Sequence, residues 1–176
     1  MALQIGQTAN SFGPLKAADG KSYGLADFKE KLLVVIFSCN HCPYVVAYED
    51  RIIAVQGEYA AKGVRVVAIN SNDSVKYPDD GFEKMKVRAA EKKFNFSYLH
   101  DADQAVARAF GATNTPHVFV LDEKRTLQYV GRIDDSWDRP ERVKQRDLRN
   151  ALDALLSGQA PQPSSTLPVG CSIKWK

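Results

Sequence analysis

Cysteine is scarce, with three residues in a chain of 176. A small odd number does not make a disulfide-stapled secreted scaffold, so these thiols need another explanation. Long apolar runs are missing as well. The longest, Leu32 to Phe37, falls far short of the roughly 20 residues that cross a bilayer, so no membrane partner is expected. Neither sign of charge is in excess: 24 Lys and Arg oppose 21 Asp and Glu, and a formal net charge of +3 is too weak to argue for nucleic acid. The basic residues Arg139, Arg142, Lys144, Arg146 and Arg149 are interleaved with Glu141 and Asp147 and read as a solvated helix face. Met1 to Ser11 has no charged region followed by an apolar stretch, so it does not read as a secretory signal, and a cytoplasmic location is expected. What remains is 44% hydrophobic and 26% charged, a composition that excludes a disordered chain and a length that allows one core.

The elements follow from the patterning. Asp19-Gly20 between Ser11–Leu15 and Ser22–Gly24 predicts a small N-terminal β-hairpin. Leu32 to Phe37 is uninterrupted and β-rich, as suits a central strand buried on both faces. Apolar residues at spacings of three and four from Val45 to Tyr59 predict a helix that opens at Pro43 and ends at Lys62-Gly63. A strand at Val64–Asn70, a helix from Phe82 to about Phe94, a strand at Ser97–His100 and a helix at Asp103–Phe110 come next. Val118–Leu121 and Leu127–Val130 flank the Asp122-Glu123-Lys124 turn as an antiparallel hairpin added to the parallel half. A last helix is predicted from Asp138, with Pro140 in its first turn, to Ser157-Gly158. The whole is an α/β fold with a central mixed sheet flanked by helices. Residues 1–158 are expected to form the domain. Residues 159–176 are expected to be a Pro/Ser-rich extended linker followed by a tail, in which Val169, Cys171, Ile173 and Trp175 alternate and dock back on the body.

Two cysteines carry the chemistry. Cys39-Asn40-His41-Cys42 lies directly after the buried strand and directly before the first long helix. A thiol at a helix N-terminus meets unpaired N–H groups and the positive end of the dipole, which favour thiolate. Two cysteines with two residues between them can form a disulfide, so the pair contains both an attacking and a resolving thiol. His41, as imidazolium, would stabilise a thiolate on Cys39. A zinc site wants four ligands, and His100, His117 and Cys171 are scattered along the chain, so neither a metal nor a cofactor is expected.

These residues, together with Ile5-Gly6-Gln7-Thr8-Ala9, Gly20 to Leu25 and Gly111 to Asp122, resemble the thioredoxin-like superfamily, in its redoxin branch of peroxiredoxin-like and TlpA-like thiol oxidoreductases. The resemblance implies a thioredoxin-like fold. It implies that Thr115-Pro116 is a cis-proline facing the Cys-x-x-Cys motif and presenting the Thr115 backbone to substrate. It also implies that Cys39 is the solvent-facing nucleophile and that Cys42 is the more buried thiol that resolves the mixed disulfide. Two departures stand out: Leu33 sits where thioredoxin has a buried Asp, and Pro43 directly follows Cys42, which moves the helix start to Cys42.

The implied function is thiol-disulfide exchange on protein or small-molecule disulfides, with a cellular thiol as reductant and either a monomer or a homodimer as the unit. The rival is a peroxiredoxin-like antioxidant peroxidase with Cys42 as the peroxidatic thiol and Cys39 or Cys171 as the resolving one. Arg132 is the candidate partner for its thiolate, although the family's residues ahead of that cysteine are replaced. A third reading has the cysteines hold copper or zinc with His100 or His117.

Overall fold

The apolar run at Leu32–Phe37 lies at the middle of the molecule as a strand with both faces covered. It belongs to a computed structural model that describes residues 1–176. In chain order the elements are β1 (Leu15–Ala17), β2 (Ser22–Tyr23), β3 (Leu32–Ser38), α1 (Pro43–Tyr59), β4 (Val64–Asn70), α2 (Phe82–Lys92), β5 (Ser97–His100), α3 (Ala105–Phe110), β6 (Asn114–Thr115), β7 (His117–Leu121), β8 (Leu127–Gly131), α4 (Asp147–Leu156) and β9 (Cys171–Ser172). Seven strands form one mixed sheet in the order β2-β1-β5-β4-β3-β7-β8, and β6 pairs with β9 beside it. β3, β4 and β5 are parallel, whereas β7 joins β3 antiparallel and β8 continues the hairpin.

Strand periodicity divides β3 between two cores. Leu32, Val34 and Ile36 pack with Tyr48, Ile52 and Val55 of α1, Met85 of α2 and Leu148 and Leu152 of α4. Leu33, Val35 and Phe37 pack on the opposite face with Val106 and Phe110 of α3, Phe119, Leu127 and, from the tail, Ile173. Burial contributes about 1.5–3 kcal/mol for each such side chain, so the run anchors the position of whatever follows it. Two buried polar side chains of α1, Glu49 and Gln56, are paired. Gln56 of α1 donates to the Val64 carbonyl at 3.1 Å and accepts the Val66 N–H, which sets α1 against β4. Glu49 holds Arg88 in an ion pair that ties α1 to α2.

Two expectations need correction. The hairpin forms, but its first strand starts at Leu15 rather than Ser11, because Pro14 has no N–H to give a ladder. The last helix does not start near Asp138: Pro140–Arg142 make only a short 3-10 turn, and α4 begins at Asp147. The chain between them is held extended by tertiary bonds, Lys144 N–H to the Asp135 carboxylate at 2.9 Å and Asp135 N–H to the Gln145 carbonyl at 3.2 Å. The stretch Gln159–Pro168 runs without helix or named strand along the body. Ser165 bridges to Val130, and Thr166 accepts the Arg132 N–H on its hydroxyl at 3.0 Å.

Candidate active site

β3 ends at Ser38 and delivers Cys39 to the edge of both cores. Cys42 is the N-cap of α1, with Pro43 at the first helical position, as the Cys42-Pro43 order predicts. The turn between the two cysteines brings the Cys42 backbone N–H to donate to Cys39 Sγ at 3.3 Å, and the two side chains pack in one small cluster. Thr115 faces them from the start of the β7 hairpin, and the Thr115–Pro116 bond is cis, as the resemblance implies. Its hydroxyl lies 3.7 Å from Cys39 Sγ, and its carbonyl oxygen lies 3.3 Å from Cys42 Sγ. Cys171 of β9 packs on the same small cluster.

Asp80 holds the Asn40-His41 turn in place. Its Oδ1 accepts the Asn40 N–H at 2.8 Å and contacts His41 Nδ1 at 3.1 Å, while its Oδ2 accepts from the Asn72 side chain at 2.8 Å. Tyr98 adds a hydroxyl bond to the Asn40 side chain at 2.7 Å. Nothing in the sequence singles out Asp80, which stands in a short acidic stretch before α2. No spacing linked it to a motif 40 residues earlier, and its contact with the site depends on the loop after β4 folding over the end of β3.

The two sulfurs share protons unequally. Cys42 is held well below the usual thiol range, first by the hydrogen bond from Cys39, then by the Cys171 thiol and by the Val45 and Cys171 N–H groups, with burial opposing. Its protonated form can donate to the Thr115 carbonyl at 3.3 Å. Cys39 is pushed up by its hydrogen bond with Cys42, then by burial and the nearby Asp80 charge. These directions make Cys42 the thiolate and Cys39 the proton holder, as the helix N-terminus favours.

The expected contrast in exposure is absent. Cys39 is 4% exposed and Cys42 3%, so Cys39 is not the solvent-facing member. The reason is that α1, the Thr115 segment and the tail all close on the pair. His41 keeps a half-exposed ring, and one of its nitrogens lies within 4.8 Å of both Cys39 Sγ and an Asp80 oxygen. Those three groups are the one close set of metal-type donors. Asp80 already serves Asn40 and Asn72, and three donors fall short of a closed tetrahedral site. His100 and His117 are not in that set. His117 sits in β7, with its Nδ1 accepting the Thr113 N–H at 3.2 Å. Arg132 bonds Asp147 at 2.7 Å and makes no contact with a cysteine. Leu33, fully buried among apolar side chains, places no carboxylate behind the pair.

This architecture is that of the thioredoxin-like superfamily. Within it the chain belongs to the Redoxin family, whose family model matches residues 4–152. An uncharacterized conserved protein from Geobacillus kaustophilus is 39% identical with a TM-score of 0.92, covering 99% of this chain and 93% of that one. A hypothetical protein from Sinorhizobium meliloti 1021 is 38% identical with a TM-score of 0.90, covering 100% and 97%. Peroxidoxin BcpB from Mycobacterium tuberculosis shares the fold at 21% identity and a TM-score of 0.64, covering 88% and 95%. No curated protein matches the sequence. Family and fold together support a thioredoxin-like redox role. No helix is long and apolar enough to cross a membrane.

Proposed function

We propose that the protein is a thiol-disulfide oxidoreductase that cycles Cys39 and Cys42 between dithiol and disulfide. The observation that carries this reading is the packing of the two cysteine side chains at the N-cap of α1, both within reach of Thr115. Cys42, as thiolate, attacks one sulfur of a substrate disulfide and expels the other as a thiolate, giving a mixed disulfide. Cys39 then loses its proton and attacks Cys42 Sγ, which forms the Cys39–Cys42 bond and releases the second substrate sulfur. An external thiol reductant returns the pair to the dithiol. This order gives Cys42 the leading role that the resemblance assigns to Cys39, and the donors around Cys42 support the exchange. His41 and Asp80 act as positioning groups for the turn between the thiols.

The same thiolate supports a second reading, peroxide reduction. Cys42 would attack the peroxide O–O bond and become a sulfenic acid while an alcohol or water leaves. Cys39 would then condense with it, releasing water. One experiment separates the two: the reduced protein is mixed with a stoichiometric peptide disulfide or peroxide, quenched by alkylation over time, and its cysteines mapped by mass spectrometry. Fast loss of alkylation at Cys39 and Cys42 with the disulfide and slow loss with peroxide is the expected result. Fast peroxide attack at Cys42 reverses the order of the two readings, and inertness of both cysteines toward both oxidants refutes each.

A further inference from the structure

The pair proposed to do the chemistry is buried, and the third thiol lies against it on a strand built to stay there. β9 pairs antiparallel with β6, in a register that sets Cys171 opposite Thr115, whose carbonyl and hydroxyl face Cys42 and Cys39. The Asn114 side chain donates to the Gly170 carbonyl at 2.9 Å, and the Ile173 N–H donates to the Thr113 carbonyl at 3.0 Å. A Cβ at Gly170 would lie 2.1 Å from the Thr115 oxygen, so only glycine lets the strand approach this closely. Ile173 is buried in the second core, and the Arg108 guanidinium lies over the Trp175 ring. The Lys174 N–H donates to Asn72 Oδ1 at 2.9 Å, and the other end of that amide donates to Asp80. The tail is therefore tied both to the sheet and to the turn that shapes the Cys-x-x-Cys motif. Cys171 itself packs on Cys39, Cys42 and Val45 while keeping partial exposure.

We infer that Cys171 is a third redox thiol, a relay through which an external thiol reductant reaches the buried Cys39–Cys42 disulfide. The inference rests on the reading of Cys39 and Cys42 as a redox pair. In the first step the Cys171 thiolate attacks Cys42 Sγ of the oxidised pair. The Cys42–Cys171 bond forms, the Cys39–Cys42 bond breaks, and Cys39 leaves as a thiolate that takes the proton Cys171 lost. This exchange involves no net oxidation. Next, an external thiolate attacks Cys171 Sγ, and Cys42 leaves. Its stabilised thiolate is the better leaving group of the two, which directs attack to the partly exposed Cys171 sulfur. A second external thiol attacks the mixed disulfide and departs as the external disulfide, with Cys171 restored. Two thiols are oxidised, and one protein disulfide is reduced.

Two variants test this with the full chain. Cys39→Ser, treated with stoichiometric oxidised glutathione and digested without reduction, is expected to give a Cys42–Cys171 linked peptide. Cys171→Ser, oxidised at Cys39–Cys42, is expected to be reduced by glutathione about tenfold more slowly than wild type. Its Cys39–Cys42 disulfide should form as in wild type, because that bond needs no third thiol. If Cys39→Ser carries only a glutathione adduct while Cys171 stays open to alkylation, the relay is overturned. It is equally overturned if Cys171→Ser is reduced at the wild-type rate, a measurement that stands even if Cys39→Ser does not fold. Failure of wild type to form Cys39–Cys42 at all would instead count against the underlying redox reading, so the two failures are distinct.

Discussion

Asp80 is fully buried, and its replacement tests whether the turn between the two cysteines is held by one carboxylate. In Asp80→Ala the Asn40 N–H and the Asn72 amide both lose their acceptor inside the protein, while the half-exposed His41 ring can turn to water. Leaving a buried donor unsatisfied costs about 1–3 kcal/mol, so the two together cost about 2–6 kcal/mol. Against a total stability of about 5–15 kcal/mol this is severe but compatible with a folded protein. At a urea dependence of about 2 kcal/mol per molar, the unfolding midpoint falls by about 1–3 M. Asp80→Asn keeps one oxygen for Asn40 and offends only Asn72, so its loss is about 1–3 kcal/mol. Both variants also remove the negative charge beside Cys39. That thiol is raised chiefly by its hydrogen bond to Cys42 and by burial, with Asp80 adding to both, so its pH profile of alkylation moves to lower pH in Asp80→Asn. Unfolding free energies for both variants within about 0.5 kcal/mol of wild type would refute the reasoning, since Asn40 and Asn72 would then have other partners. An unchanged Cys39 profile would refute the electrostatic half alone.

Further outcomes can be checked by ordinary assays. Burial lowers the His117 pKa to about 4, below the unfolded value, so the unfolded chain binds the extra proton between about pH 6.5 and 4. Stability is then complete above about pH 6.5 and is lost by up to about 3 kcal/mol as pH falls toward 4. His117→Gln should flatten this part of the urea-midpoint profile, and parallel losses in both proteins would contradict it. The ultraviolet absorbance of thiolate in the reduced protein should persist well below the pH at which a free cysteine protonates, and Cys42→Ser should abolish it. Persistence in Cys42→Ser would move the charge to Cys39. Gly131 has a φ of 147°, and a Cβ there would lie 2.1 Å from the Thr166 hydroxyl oxygen, so Gly131→Ala should unseat the segment around Thr166. A cost of about 1–3 kcal/mol corresponds to a Tm lowered by about 2–12 °C, with faster proteolysis between residues 159 and 170. An unchanged Tm would show that this seat contributes nothing.

Local chemistry and periodicity suffice to read several elements from the order of residues alone. An unbroken apolar β-rich run requires a strand covered on both sides, and Leu32–Phe37 is one. Proline after a cysteine suits the first turn of a helix, and Cys42 is the cap. The Thr115–Pro116 cis bond was legible only through family resemblance, since few X–Pro bonds are cis. The remaining features are pairings between segments distant in the chain, which no local pattern encodes. The chain before α4 has helical composition, yet bonds to Asp135 pull it extended until Asp147. Relative burial of Cys39 and Cys42 could not be read from their order, since it is set by the Thr115 segment and the tail that close over them. Asp80 and Asn72 carry no motif, and only the folding of the β4–α2 loop over the end of β3 turns them into the support of the site. Alternation in residues 169–175 predicted a face, but the strand register opposite Thr115 is what brings the third thiol to the first two.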